Sequence, residues 1–455
     1  TAIMLVVVSG ISFLVQIYSI GYMHGDKSFS KYFAYMALFT GSMLGLVISR
    51  NILQLFIFWE LVGVSSYLLI GFWHERSSAA AAAKKAFIMT RLGDFGFLFS
   101  IIYLFNLDST LLEIPKLYEA ILNEEITSRV ATILAAGFLI GGIGKSAQFP
   151  LHNWLPDAME GPTSVSALIH SATMVTAGVF LIARLFPLFQ ISELMPLIAI
   201  IGSLTAFISA TMALATTDIK RVLAYSTISQ LGYMFMALGL GAYTAAIFHL
   251  FTHAFFKAGL FLSSGSVHHA AGTFNMKYMG GLKDNMKFTY YSMLICSLSL
   301  AGLFPLSGFW SKDEIILSAY SYGGFLGNIC LIVGLLVAFL TAFYMFRAVT
   351  LTFMGDFRGG GDKESEDLKN NNQPVPPTVE HVHLGESPKN MVYPIVVLSF
   401  FAIFIGYLVN PVFSNIIFID KHLFGVFLEK SLEIFHFHAH HAFNFSIALV
   451  SSFVG

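Results

Sequence analysis

The sequence predicts an all-α integral membrane protein with about 12–13 transmembrane helices. Apolar residues make up 56 % of the 455 residues and charged residues 11 %, against about 25 % charged residues in ordinary soluble proteins. Long apolar runs recur along the chain, and about 20 apolar residues suffice to cross a bilayer. This composition excludes a soluble enzyme and a disordered chain, and the net charge of −1 leaves no basic face for a nucleic-acid partner.

Hydropathy places twelve crossings along the chain and indicates a thirteenth. Spanning segments must be helical, since an open strand or a loop cannot face lipid. The predicted crossings are 3–22, 33–50, 52–73, 84–105, 130–149, 162–186, 194–215, 219–240, 243–267, 288–310, 325–354 and 391–412, with a partial one from Phe443. The chain starts and ends inside apolar runs, so we interpret it as a fragment cut at both ends.

The segments between the crossings predict the orientation. One alternating set carries most of the lysines and arginines, and the positive-inside rule makes that set cytoplasmic and puts Thr1 on the outer side. Segment 355–390 belongs to this set; it is polar and rich in Gly and Asn, which predicts a mobile loop. The outer segment His436–His441 could bind a metal, or it could simply be a wet stretch at the membrane interface.

No cofactor or metal is predicted in this chain. Cys296 and Cys330 lie in apolar runs, which is typical of small buried side chains. The sequence shows no glycine-rich dinucleotide loop, no haem motif and no cysteine cluster for iron and sulfur.

Ionisable residues inside the predicted crossings are the candidate functional groups. Each costs at least about 2.5–3.5 kcal/mol to insert, so a purely structural origin needs a specific partner. The candidates for proton transfer are Glu60, Lys145, His170, His249, His253, Lys257, Lys312 and Asp313, with Arg91 and Asp94 as a tuning pair.

Several of these residues could have a purely structural role instead. Arg91 and Asp94 are three residues apart on one helix face and could form a structural salt bridge. Lys145 could extend to the membrane interface, although nearby glycines and Pro150 predict a broken helix around it. His170 could be satisfied by a neighbouring hydroxyl group. Lys312 and its acidic neighbours could mark the wet end of a helix.

The spacing of His249, His253 and Lys257 is the sharpest signal. The three residues are four apart in AAIFHLFTHAFFKAGLFL, so they share one helix face over about 12 Å. Three titratable groups among Phe, Leu and Ala favour a transfer path for protons. Zinc binding by the two histidines is an alternative, but no third ligand is evident.

Two proline-interrupted crossings indicate an internal repeat. AQFPLHNW and GLFPLSGFW share Phe-Pro-Leu and a trailing Trp, and each has a lysine nearby. Five crossings separate them, so the second unit is inverted, a pattern typical of ion-transport folds. The predicted parts are a leading helix and loop (1–32), two inverted five-helix repeats (33–186 and 187–354), a cytoplasmic loop (355–390) and incomplete C-terminal helices (391–455).

Long motifs carry a resemblance to a known family. GKSAQFPLHNWLPDAMEGPTSVSALIH, TDIKRVLAYSTISQLGYM, FHLFTHAFFKAGLFLSSGSVHH and GLFPLSGFWSKDEI resemble the antiporter-like subunits of respiratory complex I, the bacterial type-1 NADH:quinone oxidoreductase. Lysine at 312 favours the L-type subunits, counterparts of mitochondrial chain 5. The resemblance implies an ion pair between Glu60 and Lys145, a central axis through the histidines and Lys257, and an exit at Lys312.

The resemblance also implies a function and partners. It implies proton translocation across the bacterial inner membrane, with FMN, iron–sulfur clusters and quinone in partner subunits and other antiporter-like subunits beside this chain. Two alternatives stay open. One is the large subunit of a multi-subunit sodium/proton antiporter or of a related hydrogenase or bicarbonate-uptake complex. The other is a non-conducting scaffold.

Overall fold

The computed structural model describes residues 1–409 and 423–429, and these are nearly all helical. Within them lie eighteen α-helices, three short 3-10 helices and no β-strand, which confirms the predicted all-α fold. The helices are α1 Ala2–Tyr22, α2 Phe29–Ile48, α3 Ile52–Ile70, α4 Ser77–Leu107, α5 Ile114–Leu122, α6 Ser128–Lys145, α7 Thr163–Ser171, α8 Ala177–Arg184, α9 Phe186–Gln190, α10 Met195–Ala215, α11 Ile219–Gly239, α12 Tyr243–Ala271, α13 Lys287–Ala301, α14 Ser307–Tyr322, α15 Gly324–Phe353, α16 Gly360–Asn370, α17 Lys389–Val409 and α18 Leu423–Glu429. The predicted run near Phe443 and the segment His436–His441 lie outside the described residues.

Ten helical segments of the described residues are long and apolar enough to cross a membrane, α7 and α8 together forming one of them. They correspond to ten of the twelve predicted crossings. Of the other two, 219–240 is the helix α11, whose residues are nearly all buried against other helices. Its polar side chains therefore face protein and not lipid. The predicted crossing 288–310 is divided between α13 and α14.

Both predicted helix breaks are present. The first follows Lys145 at the end of α6 and contains Pro150; the second separates α13 from α14 and contains Pro305. Each of these prolines follows a cis peptide bond. Gly302 ends α13 with a φ of 89°, a left-handed conformation that glycine adopts without a steric cost. A third break, between α7 and α8, was not predicted.

The order of the elements is the one expected for two five-helix repeats. The broken segment after α6 and the broken pair α13–α14 are five membrane helices apart in the chain. The repeat boundaries at 33–186 and 187–354 stay a prediction. The segment formed by α7 and α8 is fully buried, as is nearly all of α12. Helices α7, α8, α11 and α12 therefore form the centre, and large apolar side chains are exposed on outer helices, as at Phe95 and Phe325.

Helix starts are fixed by short polar side chains. Asn51 precedes α3, and its side-chain oxygen accepts hydrogen bonds from the amides of Leu53 at 2.8 Å and Gln54 at 3.3 Å. Asp218 precedes α11 and accepts a hydrogen bond from the Arg221 amide at 3.0 Å. Such caps satisfy amides that have no partner in the first helical turn. They position α3, which carries Glu60, and α11, which carries Ser226 and Gln230.

The segment 355–388 carries more structure than its composition predicts. It contains α16, and its backbone pairs with the end of α12. The Glu380 amide donates to the Gly272 carbonyl at 2.8 Å, and the His383 amide donates to the Ala270 carbonyl at 3.0 Å. We expected a mobile loop; these contacts instead attach it to the membrane helices.

Replacing Glu380 by Gln should tighten this attachment at neutral pH. Burial raises the pKa of the Glu380 carboxyl above its ordinary value of 4.5, and the charges of Arg76 and His383 oppose the shift. A raised pKa means that the folded loop is most stable below pH 4.5 and loses stability as the pH rises through the folded-state pKa. Hydrogen exchange at the amides of Glu380 and His383 should therefore be slower in the variant at pH 7. Faster exchange would mean that attraction to Arg76 outweighs burial.

Candidate functional site

Four charged side chains from α3, α4 and α6 form a row of alternating sign. The Arg91 guanidinium contacts the Glu60 carboxylate on one side. On the other side, Arg91 Nη1 lies 3.4 Å from Asp94 Oδ2, and the same oxygen lies 3.9 Å from Lys145 Nζ. With all four groups ionised the row is neutral, which reduces the cost of holding these charges within the membrane.

The row leads from the surface of the chain into its interior. The exposed fraction of the side chain is 28 % for Glu60, 20 % for Arg91, 4 % for Asp94 and 0 % for Lys145. Lys145 Nζ has no hydrogen-bond partner among the described residues. Opposite charges at contact distance are strongly coupled in a medium of low dielectric constant. A change of charge at the exposed end therefore acts on the buried ammonium.

The direct ion pair expected between Glu60 and Lys145 is not formed among the described residues of this structure. The Arg91 guanidinium pairs with the Glu60 carboxylate, and it also donates a hydrogen bond to the Glu60 backbone carbonyl oxygen at 3.3 Å. The carboxylate nearest to Lys145 is that of Asp94, which Trp59 holds through an indole N–H donated at 2.6 Å. The physical reason is that α4 lies between α3 and α6 at this level, so Arg91 is interposed.

The predicted stack on α12 is present and fully buried. His249, His253 and Lys257 each have an exposed fraction of 0 %. The ring centres of the two histidines are 6.3 Å apart. Lys257 Nζ donates to the Leu223 carbonyl at 3.2 Å and also contacts the hydroxyl of Ser226, both on α11. The stack thus faces polar groups on the neighbouring buried helix.

His170 joins the stack at the unpredicted break between α7 and α8. The break leaves the Ser171 carbonyl without a helical donor, and His253 Nδ1 lies 3.2 Å from it. His170 itself is fully buried, and neither of its ring nitrogens has a hydrogen-bond partner among the described residues. His170 therefore makes no hydrogen bond to the neighbouring hydroxyl group that we considered as its partner. Both nitrogens are available to accept or donate a proton.

Lys312 lies at the second predicted break. Its ammonium donates to the Leu300 carbonyl at 2.9 Å, close to the end of α13, and is 5.5 Å from the ring centre of Tyr233. The exposed fraction is 1 % for Lys312 and 4 % for Asp313. Neither residue therefore lies at a solvent-exposed end of a helix. The lysine instead satisfies a carbonyl group that the interrupted helix leaves open.

Three uncharged residues that we did not predict lie at the His249 end of the stack, and one of them, Ser311, directly precedes Lys312 in the chain. Ser311 Oγ lies 2.9 Å from His249 Nδ1 and 2.7 Å from the hydroxyl of Thr252. Gln230 Oε1 lies 3.1 Å from His249 Nε2. The only sequence signal of Thr252 and Gln230 is that they are polar residues inside predicted crossings, where uncharged residues cost too little to stand out. Ser311 directly follows the predicted crossing 288–310.

The geometry gives no support to a zinc site on α12. Both ring nitrogens of His249 face Ser311 and Gln230, so neither points at His253. Among the described residues no group of three or more His, Cys, Asp or Glu side chains could hold a metal ion. Cys296 and Cys330 are free thiols and are buried, as expected.

Known proteins resemble this chain over nearly its whole length. The family described as NADH:quinone oxidoreductase/Mrp antiporter, TM matches residues 49–341, and NADH-Ubiquinone oxidoreductase (complex I), chain 5 N-terminus matches residues 1–33. The chain is 48 % identical to chloroplastic NAD(P)H-quinone oxidoreductase subunit 5 of Chaetosphaeridium globosum, over 94 % of this chain and 63 % of that protein. It is 47 % identical to NAD(P)H-quinone oxidoreductase chain 5 of a Picosynechococcus species, over 90 % of this chain and 63 % of that protein. The chain therefore spans less than two thirds of the length of these curated relatives.

A solved structure supports the same assignment. The fold matches a chain in the Mrp complex from a Dietzia species with a TM-score of 0.79 and 27 % identity, over 99 % of this chain and 47 % of that chain. The helical architecture of a membrane protein, the two broken helices and the matched family agree. The chain belongs to the NADH:quinone oxidoreductase/Mrp antiporter membrane family.

Proposed function

We propose that this chain is a proton-translocating membrane subunit of an NADH:quinone oxidoreductase. One observation carries the proposal: six titratable groups are buried in the interior of the membrane helices, namely Lys145, His170, Lys257, His253, His249 and Lys312. We propose that they pass protons in this order. A scaffold would gain nothing from buried lysines, since each adds an insertion cost. This argues against the non-conducting alternative.

The spacing of these groups suits a relay with water between them. The rings of His249 and His253 are 6.3 Å apart at their centres, too far for direct transfer between nitrogens in most orientations. His249 and Ser311 are within hydrogen-bond distance at 2.9 Å. Water bridges polar groups more than about 3.5 Å apart at small cost. Protons would thus pass by side chain at some steps and by water at others.

The charge row supplies a way to drive the relay. Glu60 and Arg91 are the partly exposed members, so a charge on a neighbouring subunit could pull Glu60 away from Arg91. The Arg91 guanidinium would then pair with the Asp94 carboxylate alone. Asp94 would as a result attract the Lys145 ammonium less strongly. An ammonium that loses its counter-ion in a dry interior releases its proton more readily. We propose this as the coupling step.

The source of energy lies in other subunits under this proposal. Electron transfer from NADH to quinone would take place in partner subunits that hold FMN and iron–sulfur clusters, and neighbouring antiporter-like subunits would contact this chain. The membrane would be the bacterial inner membrane, with Thr1 on the outer side and segment 355–390 in the cytoplasm, in agreement with the distribution of lysine and arginine.

A sodium/proton antiporter is the second candidate. The likeness to a chain of the Mrp complex from Dietzia favours it, since the match covers 99 % of this chain. The curated relatives favour the quinone oxidoreductase, with identities of 48 % and 47 % against 27 %. The buried groups are the same in both cases, so only the partners and the ion separate the two functions.

Purification of the native complex through a tag on this chain separates the candidates. Mass spectrometry should find flavin, iron–sulfur and quinone-site subunits in the complex, and membrane vesicles should acidify when NADH is oxidised, without a need for sodium. Small antiporter subunits without redox partners, together with sodium-dependent exchange, would overturn the proposal and assign the chain to an antiporter.

A further inference from the structure

Gly63 lies against the cationic members of the charge row. It is a buried residue of α3, one helical turn after Glu60. A methyl group added to its Cα would lie 2.7 Å from Lys145 Nζ and 3.2 Å from Arg91 Nη2. The atoms nearest to that methyl group all belong to Lys145 and Arg91. The space beside Gly63 is thus filled by the two cations and not by the packing of helices.

The ammonium of Lys145 is held loosely in this space. It lies 3.9 Å from Asp94 Oδ2 and 5.8 Å from the ring centre of Trp59, and it has no hydrogen-bond partner among the described residues. Glu60 and Gly63 are three residues apart and so share a face of α3. An ammonium beside Gly63 is therefore next to the helix face that carries Glu60.

We propose that Gly63 is a positioning residue that keeps open the space through which the Lys145 ammonium exchanges between Asp94 and Glu60. The inference rests on the proposed function, because the exchange matters only if Lys145 takes part in proton transfer. A glycine is needed because any side chain occupies this space. A methyl group at 63 would displace the flexible end of Lys145 from this space, and we expect the ammonium then to stay with Asp94.

Gly63→Ala tests the proposal in the assembled complex. Alanine is favoured over glycine inside a helix, and the displaced atoms are the ends of long side chains, so the complex should assemble. We expect proton pumping by inner-membrane vesicles to fall by up to about a hundredfold, which is the loss that a 1 Å misplacement of a reacting group can cause in an active site. Pumping at the wild-type rate would overturn the proposal.

Gly142→Ala is the matched control. Gly142 lies on α6, one turn before Lys145, and its added methyl group would meet only ordinary contacts, the nearest being the Gly178 carbonyl oxygen at 3.6 Å. The same exchange of residue types in the same neighbourhood should leave pumping unchanged. A loss in both variants would indicate a general sensitivity of these helices and would also overturn the proposal.

A thermal double-mutant cycle separates positioning from packing. In the wild-type background the methyl group at 63 meets Lys145, so Gly63→Ala should lower the Tm of the complex. In a Lys145→Ala background the 2.7 Å contact is gone and only the end of Arg91 must shift, so the same substitution should lower the Tm less, because its helix propensity offsets the remaining contact. Equal shifts in both backgrounds would mean that Gly63 serves packing alone. The cycle needs no activity, so it remains decisive if Gly63→Ala assembles poorly.

The activity of Lys145→Ala separates a failure of the proposed function from a failure of the role proposed for Gly63. If Lys145→Ala pumps normally, the proposed function fails and the role of Gly63 fails with it. If Lys145→Ala is inactive while Gly63→Ala pumps normally, only the inference about Gly63 is overturned.

Discussion

Replacing Lys145 by Ala should abolish proton pumping while the complex still assembles. Lys145 is the fully buried end of the charge row and has no hydrogen-bond partner among the described residues, so its removal breaks no hydrogen bond. Asp94 keeps Arg91 and the Trp59 indole N–H, which hold it in place. The relay, however, loses the group that would carry the proton at its start. Loss of a positioned proton carrier costs about a hundredfold or more in rate.

The measurement is NADH-driven acidification of inner-membrane vesicles, normalised to the amount of assembled complex. Lys116→Ala is the control, because Lys116 is an exposed lysine paired with Glu119 at 2.8 Å on the surface of the chain. Such a surface pair contributes at most about 1 kcal/mol, so the control should pump like the wild type. Normal proton-to-electron stoichiometry in Lys145→Ala would remove this residue from the relay.

The fold was largely predictable because apolar length and insertion cost are properties of the sequence itself. Ten of the twelve predicted crossings are helices of membrane-spanning length and composition. The prolines at 150 and 305 correctly indicated two breaks. The break between α7 and α8 gave no such signal, since 170–177 contains neither proline nor glycine. It is stabilised by contacts distant in sequence, such as the Ser146 hydroxyl donated to the Val175 carbonyl at 2.7 Å.

The candidate residues were also predictable, whereas their partners were not. Every ionisable residue singled out for its insertion cost lies in the described structure, and Lys145, Lys257 and Lys312 are nearly or fully buried. Spacing along one helix gives the face that residues share, but it does not say which helix lies opposite. The pairing of Glu60 with Lys145 came from the family resemblance alone, and in this structure Arg91 on α4 contacts Glu60 instead. Whether these residues transfer protons stays a prediction.

Segment 355–388 also shows what composition alone leaves undetermined. Its composition is typical of a mobile chain, yet Glu380 and His383 pair with backbone carbonyls at the end of α12. Composition measures how much apolar surface a segment can bury. It does not measure how many backbone hydrogen bonds a neighbouring surface offers.

Lys312→Ala should block the release of protons rather than their uptake. Its ammonium is the last buried cation of the series among the described residues, and it donates to the Leu300 carbonyl at the interrupted end of α13. Removing it leaves the path intact from Lys145 to His249 and Ser311, where the proton then has no further acceptor. We expect steady pumping to fall about a hundredfold, as for loss of any positioned proton carrier. Lys312→Arg keeps a cation and a donor for Leu300, but a guanidinium does not release its proton, so this variant should assemble and also fail to pump.

Two pH probes on opposite sides of a vesicle membrane distinguish this block from a general loss. In Lys312→Ala, the first turnover should still take up protons at the cytoplasmic side, and no release should follow at the outer side. Lys287→Ala is the control on the same broken helix, since Lys287 is the exposed first residue of α13. Normal release by Lys312→Ala would locate the exit elsewhere. A loss of uptake as well would mean that Lys312 belongs to the charge balance of the whole series and not to its outlet alone.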